Sequence, residues 1–409
     1  MRVGTRGMMG VDYEQRIDFD RLRRERAAKI QAELDQTELS CLLLFDSGNK
    51  RYATSTASTS PEVDNMGRYA IVPRGGAPYI FGFGSEVAAA KLNCPWIADR
   101  AYPAHTAMSG ALPPAWGAAK AFLKDLEMVL DAHGLSKQDP IGVDVIDSQL
   151  LLALQEAGYR FGDGMDVMQR ARMVKTEDEL EISRNACATV DAAFDAVARM
   201  LRPGVRENDI QGEAARVLHA LGAQWVPNVQ VTTGSRTHPH PHLSSDRLLQ
   251  PGDLFFADIV TLWNGFHTCV YRTLCVGKPT QRQRDVYRRT YEMLMAGLEM
   301  VRPGATTEEV ARAWPGPEHW GFTSESEAFG LAFGHGVGVA LWERPAINRL
   351  YSLQHPVELQ PGMVIALETY DGEGPDGARI EIEVIVTEDG AELITKFPFD
   401  ELIGCNATY

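Results

Sequence analysis

The sequence has 409 residues, 44% of them hydrophobic and 23% charged, which is enough for two or three globular domains with ordinary cores. The net charge of −15 disfavours nucleic acid or an anionic membrane as a partner, because either would require a basic face. Six scattered cysteines without CxxC pairs, and no apolar run of bilayer-spanning length, predict a cytoplasmic protein.

The first part of the chain alternates predicted helices and strands. It begins with an amphipathic helix over 14–36. The strand SCLLLF, the polar loop STASTSPEVDN, and a hairpin that turns between Pro73 and Pro78 come next. Helices are predicted at 116–133 and 147–158, with the strand IGVDVI between them. This alternation predicts an α/β domain over residues 1–168.

The remaining chain, 169–409, contains an internal repeat. A capping box of Thr176 and Glu179 opens its first helix. An Arg-Pro-Gly turn between two helices and a Leu-Gln-Pro-Gly turn before an apolar hairpin each occur twice, at 202–204 and 302–304, and at 249–252 and 359–362. We therefore expect an α+β domain whose two halves pack about a pseudo-twofold axis.

Each repeated hairpin carries an acid six residues after its Pro-Gly turn, Asp258 in the first copy and Glu368 in the second. An unpaired acid in an apolar strand is costly to bury, so a metal ion, another cation or a bound proton must compensate it. The return strand of the second copy places Arg379, Glu381 and Glu383 on one face. The alternative is two unrelated acids at sheet edges.

Two histidine motifs accompany these acids. His238, His240 and His242 alternate with prolines in one loop, which suits catalysis or substrate contact, but also fits a solvated turn or an adventitious metal binder. His335 lies between two glycines, which let the backbone pass close to a ligand, although a structural histidine is also compatible.

Four of these residues form a carboxylate-rich set with one imidazole: Asp258, His335, Glu368 and Glu381. Such a set is better suited to binding a manganese, iron, cobalt or zinc ion through oxygen and nitrogen than to forming a structural zinc site with thiolate ligands. A metal ion bound there would lower the pKa of a water molecule and polarise a carbonyl group.

The repeated hairpins, the Gly-His-Gly-Val-Gly motif at 334–338 and the Arg-Ile-Glu strand resemble the pita-bread superfamily of methionine aminopeptidase, aminopeptidase P, prolidase and creatinase. The resemblance covers most of the chain. It implies a metal site at Asp258, Cys269, His335, Glu368 and Glu381, with Cys269 where the peptidases have a second aspartate. The expected cofactor is therefore one divalent ion (iron, manganese, zinc or cobalt) or none.

Trp342 stands where the peptidases have a histidine, which argues against ordinary proline-peptide cleavage. The strand GFHTCVYRT and the tail 392–399 resemble the non-peptidase member creatinase. The run 49–54, the turn 234–237, the motif 335–338 and the segment VTEDGAELITKFPFD resemble dimethylsulfoniopropionate lyase. The resemblance implies a homodimeric, creatinase-like hydrolase that cleaves a C–N bond in a small zwitterionic nitrogen compound. His240 or His242 would be its general acid/base. The lyase has a proposed catalytic aspartate shortly after the histidine of this motif, and Glu343 is the acid nearest to that position in this sequence. Candidates for an aromatic wall around a cationic nitrogen are Trp263, Trp342 and Phe81.

Three alternatives remain open. The first is a metal-dependent lyase acting on a sulfonium zwitterion, which would release an alkene. The second is an Xaa-Pro metallopeptidase. The third is a non-catalytic binding module with the same fold, against which the retention of His335, Glu368 and Glu381 argues.

Overall fold

The computed structural model describes residues 17–57 and 60–406. The chain divides into two units, Met1–Arg172 and Met173–Tyr409. The division predicted from the sequence, 1–168 and 169–409, lies close to this one.

The first unit has a mixed sheet with helices around it. Its described helices are α1 (Phe19–Leu34), α2 (Ser47–Thr54), α3 (Pro61–Gly67), α4 (Gly84–Asn93), α5 (Ala118–Ala132), α6 (Ser148–Glu156) and α7 (Gly164–Met173). Its described strands are β1 (Cys41–Leu44), β2 (Tyr69–Pro73), β3 (Tyr79–Gly82), β4 (Ala101–Pro103), β5 (Ile141–Val143) and β6 (Phe161–Asp163). The strand order is β4-β3-β2-β1-β5-β6, with β1 antiparallel to β2 and parallel to β5.

Local signals account for the ends of these helices. Asp18 caps α1 by accepting hydrogen bonds from the backbone of Asp20 and Arg21. The predicted helix began at residue 14, and residues 14–16 lie outside the described part of the chain. The predicted polar loop is partly wrong, because Pro61 begins α3, where its fixed φ and missing N–H suit the first helical position.

The second unit contains two sheets. Its described helices are α8 (Glu177–Met200), α9 (Glu207–Ala220), α10 (Gln281–Glu299), α11 (Thr307–Arg312) and α12 (Arg349–Ser352). Its described strands are β7 (Trp225–Thr233), β8 (Leu254–Trp263), β9 (Phe266–His267), β10 (Val270–Val276), β11 (Ala332–Gly336), β12 (Glu343–Ile347), β13 (Val364–Glu373), β14 (Asp376–Val386), β15 (Ala391–Leu393) and β16 (Gly404–Cys405). One sheet has the order β16-β10-β8-β7 with β9 beside β8, and the other has the order β12-β11-β13-β14-β15.

The two Arg-Pro-Gly turns make the same hydrogen bonds. Gly204 N–H donates to Leu249 O at 2.9 Å in the first repeat, and Gly304 N–H donates to Leu359 O at 2.9 Å in the second. Both glycines have positive φ, at 85° and 79°, which is the left-handed conformation that glycine adopts without strain.

The Pro-Gly turns before β8 and β13 correspond in the same way. Gly252 N–H donates to Val276 O at 2.7 Å, and Gly362 N–H donates to Val386 O at 2.8 Å. Each bond ties the start of a hairpin to the end of its return strand. The predicted internal repeat therefore extends to equivalent backbone contacts.

The two hairpins meet where β10 lies beside β14. Thr273 Oγ1 donates to Arg379 O at 2.7 Å and accepts from Arg379 N at 2.9 Å. The Arg272 guanidinium donates to the backbone oxygen of Glu381. This seam brings the acid-bearing strands of both repeats together. Throughout the described ranges, no helix is long and apolar enough to cross a bilayer.

Candidate metal-binding active site

The three predicted acids of the two hairpins are buried beside one another. Glu368 on β13 lies directly across from Glu381 on β14, and Asp258 on β8 lies across from Tyr271 on β10. Burial raises the pKa of Asp258 well above its usual value, and the negative charges of Glu381 and Glu368 raise it further. The matched offsets of the repeat thus produce a shared cluster of carboxylates.

Arg379 neutralises one of these acids. Its Nε and one terminal nitrogen lie 2.9 and 2.8 Å from Glu368 Oε2, and it also donates to Gly330 O at 2.7 Å. The pKa of Glu368 is raised because burial outweighs the opposing effect of Arg379. Burial favours a neutral guanidine, but the Glu368 carboxylate outweighs it and raises the pKa of Arg379. Arg379 is thus a fixed cation within the acid cluster.

His335 directs one ring nitrogen into the cluster. Its Nδ1 lies 2.9 Å from Gly336 O, and because a carbonyl oxygen only accepts, Nδ1 carries a proton. Its Nε2 lies 3.6 Å from Glu381 Oε1. Burial lowers the pKa of His335, but the Glu381 carboxylate more than offsets this, so the pKa is raised. The glycines beside His335 are required, since a Cβ on Gly336 would lie 2.2 Å from Arg344 O.

Cys269 sits just before β10, where its backbone is held by a second buried acid. Its N–H donates to Glu383 Oε1 at 2.7 Å, and Cys187 donates its thiol to Glu383 Oε2 at 3.2 Å. The Cys269 sulfur lies 4.0 Å from Asp258 Oδ1. Burial raises the pKa of Cys269 well above its usual value, and Glu381 and Asp258 add to the shift. In the absence of a cation its thiol is therefore protonated.

The residues fit one metal ion. Cys269, His335 and Glu381 each offer a ligand atom, and these three atoms lie within 4.8 Å of one another. Neither carboxylate oxygen of Glu381 has a hydrogen-bond partner within the described part of the chain, although both are buried. A metal ion would satisfy both oxygens. The acid pair of Glu368 and Asp258 flanks this set, so all five predicted ligands belong to one cluster.

The histidine loop, which we define as residues 234–247, places its three histidines differently. The Tyr370 hydroxyl donates its proton to Thr237 O, so His238 Nδ1, which lies 2.7 Å from that hydroxyl, is the donor of the bond between them. The rings of His240 and His242 are in contact, with their centroids 3.7 Å apart and their planes tilted by 45°. The predicted common face is therefore limited to His240 and His242.

The same two histidines differ in exposure. His240 packs edge-on against Phe256 and Tyr271, and burial, followed by the charge of Arg379, lowers its pKa to about 2. His242 is exposed, and burial of its ring and then Arg379 lower its pKa as well. Both imidazoles are neutral at pH 7 and lie within the electrostatic range of Arg379.

The predicted aromatic wall is partly wrong. Phe81 is fully buried in the core of the first unit, where it stacks on Tyr69 with a centroid distance of 4.7 Å, so it cannot contact substrate. Trp263 lies five residues after Asp258, on the opposite face of β8, and its indole donates to Leu221 O at 3.1 Å. Trp342 is 68% exposed, with its ring 6.2 Å from that of His335, and it remains a candidate.

The predicted catalytic role of Glu343 is inconsistent with its contacts. One of its oxygens lies 2.8 Å from Lys175 Nζ, and the other accepts from Ala340 N at 3.0 Å. Both side chains of the ion pair are buried, so this carboxylate is held in a structural salt bridge.

Sequence reasoning missed the roles of Arg379, Glu383 and two tyrosines. The strand pattern put Arg379 and Glu383 on the face of Glu381, but their partners come from other parts of the second unit. Tyr271 and Tyr370 flank Arg379, whose guanidinium carbon lies 5.0 and 5.9 Å from their ring centroids. Tyr370 follows Glu368 by two residues, so strand alternation could have identified it.

Comparisons with known proteins agree with this architecture. The sequence profile of metallopeptidase family M24 matches residues 181–388, about half of the chain. The probable dipeptidase PepE of Mycobacterium tuberculosis is 30% identical over 345 residues, which cover 81% of this chain and 84% of that protein. The dimethylsulfoniopropionate lyase DddP of Roseovarius nubinhibens is 26% identical over 400 residues, which cover 94% of this chain and 87% of that protein.

Two other curated relatives are matched over 66% and 65% of their own length, so the chain spans about two thirds of each. The crystal structure of dipeptidase PepE from Mycobacterium ulcerans superposes with a TM-score of 0.75 at 25% identity, and the match covers 95% of this chain and 99% of that one. The predicted pita-bread architecture is therefore confirmed. The family profile and these relatives together show that the chain belongs to metallopeptidase family M24.

Proposed function

We propose that this chain is a hydrolase that cleaves a C–N bond in a small zwitterionic nitrogen compound. The observation that carries the proposal is the excess of buried carboxyl groups over cations. Asp258, Glu368 and Glu381 converge, whereas Arg379 makes its ion pair with Glu368, the one pair that it forms within residues 17–57 and 60–406. A divalent ion together with a cationic substrate group would compensate the remaining acids.

The residues around the cluster suit such a substrate. Asp258 would attract the cationic nitrogen, and Trp342 would offer it an aromatic face. The anionic end of the zwitterion would approach Arg379, whose charge also favours the neutral form of His242. A neutral His242 would act as the general base that takes a proton from water.

A bound divalent ion would polarise the bond to be cleaved and make its water more acidic. The chain's own contribution is to fix the ligands before substrate arrives, through the Gly336 contact of His335 and the Glu383 contact of Cys269. Preformed ligands need no reorganisation when substrate binds.

A lyase acting on a sulfonium zwitterion is the second candidate. It is favoured by the long alignment with the lyase DddP, which covers 94% of this chain. The same buried acids would attract a sulfonium group, because their attraction depends on charge rather than on the element that carries it. Xaa-Pro dipeptide hydrolysis is the third, and relatives with dipeptidase names support it.

The test incubates the metal-loaded protein with creatine-like and betaine-like compounds, Xaa-Pro dipeptides and a sulfonium betaine in water enriched in oxygen-18. Hydrolysis of a nitrogen compound incorporates one labelled oxygen atom into a product. An alkene without label supports the lyase instead. Turnover of the dipeptides alone refutes the proposal in favour of a peptidase.

A variant pair tests the role of His242. We expect His242→Ala to lower kcat by about 10²- to 10⁴-fold, which is the usual contribution of a general base. The control is His355→Ala, since His355 is an exposed histidine in the loop after α12. Equal rates for the two variants would exclude His242 as the base.

A further inference from the structure

We infer that this site holds a single thiolate-ligated divalent ion, bound by Cys269, His335 and Glu381, in place of a carboxylate-bridged metal pair. The inference concerns the ion and is independent of which substrate is cleaved. It therefore stands or falls on measurements of bound metal rather than of turnover.

The first observation is that the carboxylate of Glu381 is buried without compensation. Both Glu381 oxygens are buried and lack hydrogen-bond partners among the residues described. His335 Nε2 lies 3.6 Å from Glu381 Oε1, which is beyond hydrogen-bond distance. A cation between the two side chains would contact both and would satisfy the buried oxygens of Glu381.

The second observation is the position of the sulfur atom. Cys269 Sγ completes a triangle with His335 and Glu381 in which the ligand atoms lie within 4.8 Å of one another. Ligands that bind one tetrahedral ion at 2.0 to 2.3 Å are separated by about 3.3 to 3.8 Å, so small side-chain movements suffice to close the triangle. Glu383 holds the backbone of Cys269 at 2.7 Å and thereby fixes where its side chain starts.

The third observation limits the number of ions. Cys269 offers one donor atom where an aspartate would offer two. Glu368 Oε2 already receives two nitrogens of Arg379, and Asp258 Oδ2 receives the Asn228 amide at 3.3 Å. The oxygens that would bind a second ion are thus largely engaged, and the guanidinium supplies the charge that such an ion would supply.

The ligand types indicate the metal. One thiolate, one imidazole and one carboxylate favour zinc, cobalt or iron over manganese and magnesium, which prefer oxygen ligands alone. Three protein ligands leave a fourth tetrahedral position open, as in catalytic rather than structural zinc sites. Binding releases the thiol proton to solvent, because only the thiolate coordinates.

The experiment titrates the metal-free full-length protein with cobalt(II) and follows absorption, beside native mass spectrometry of the zinc-loaded protein. We expect one ion per chain and a sulfur-to-cobalt charge-transfer band in the near ultraviolet. Cys269→Ser should lose this band, whereas Cys275→Ser should keep it. Cys275 is the matched control, because it is also buried, on β10, but its thiol lies near Gln283.

A second variant separates the sulfur ligand from the number of ions. Cys269→Asp should bind one ion per chain without a charge-transfer band, because Arg379 and Asn228 still engage Glu368 and Asp258. Two ions in the unmodified protein, no ion, or a cobalt spectrum without the sulfur band would each overturn the inference. The unmodified protein alone gives these three readouts, so the inference remains falsifiable even if a variant fails to fold.

Discussion

The substitution Glu207→Gln should loosen the histidine loop. Glu207 is fully buried at the start of α9 and binds both ends of the segment. Its Oε1 accepts from Thr233 N and Oγ1 at 2.9 and 2.8 Å. Its Oε2 accepts from Ser245 N and Oγ at 2.8 and 2.6 Å, and from the Arg236 guanidinium. One carboxylate therefore closes the loop that carries His240 and His242.

The expected magnitude follows from this geometry. Glutamine keeps the shape of Glu207, but its NH₂ group cannot accept, so the N–H of either Thr233 or Ser245 loses its partner. The remaining bonds also lose the strength that the negative charge gives them. Together these losses should lower the free energy of local opening by about 2 to 3 kcal/mol. Because about 1.4 kcal/mol corresponds to a factor of ten, amide exchange in the loop should accelerate about 30- to 150-fold.

The assay is amide hydrogen exchange followed by mass spectrometry of a peptide that covers residues 234–247. The control is Glu213→Gln on the same helix, since Glu213 pairs only with the exposed Arg216 among the contacts described for it. If Glu207→Gln and Glu213→Gln exchange alike in this peptide, Glu207 does not hold the loop, and the reasoning is refuted.

Three further predictions concern stability. Lys175→Met should lower the free energy of unfolding by about 3 to 5 kcal/mol in urea denaturation, because it removes the buried ammonium that lies 2.8 Å from Glu343. Lys175→Met/Glu343→Leu should recover part of the loss. Burial raises the pKa of Asp144 from 3.8 to about 6, so the folded chain holds a proton that the unfolded chain releases. As the pH rises from 3.8 to about 6, the free energy of unfolding should therefore fall by up to about 1.4 kcal/mol per pH unit. Asp144→Asn, measured over the same range, should lack this fall. Phe81→Ala should lower it by about 3 to 5 kcal/mol without changing metal content, and a change in bound metal without a loss of stability would contradict its place in the core.

The homodimer remains a prediction, which sedimentation equilibrium of the full-length chain would test. A monomer at all concentrations would exclude it. The predicted cytoplasmic location likewise remains a prediction.

The fold and the convergence of the buried acids were predictable because the repeat encodes them locally. Pro-Gly turns fix where each hairpin begins, so Asp258 and Glu368 at equal offsets were expected on equivalent strand faces. Strand alternation then added Glu381. These inferences use only the number of residues between a turn and an acid within one hairpin. That number decides which face of the strand the acid lies on, whatever else packs against the strand.

Roles that depend on distant partners were not predictable. Glu343 was expected to be catalytic, but its partner Lys175 lies 168 residues earlier in the chain, and nothing in the local sequence indicates the pair. Phe81 and Trp263 had suitable chemistry for an aromatic wall around a substrate. Phe81 on β3 lies in the core of the first unit, however, and Trp263 on β8 lies beside the end of α9. The side on which an aromatic residue lies is decided by what packs against its strand.

The seam between β10 and β14 has a consequence for kinetics. The hydrogen bonds that join the hairpins close loops of 106 and 109 residues, so the ligand cluster forms only after long-range contacts are made. If the contacts between the two hairpins form late in folding, an ion that binds the finished cluster contributes little to the stability of the folding transition state. Bound metal should then slow unfolding while leaving the folding rate nearly unchanged, which makes it a source of long native lifetime.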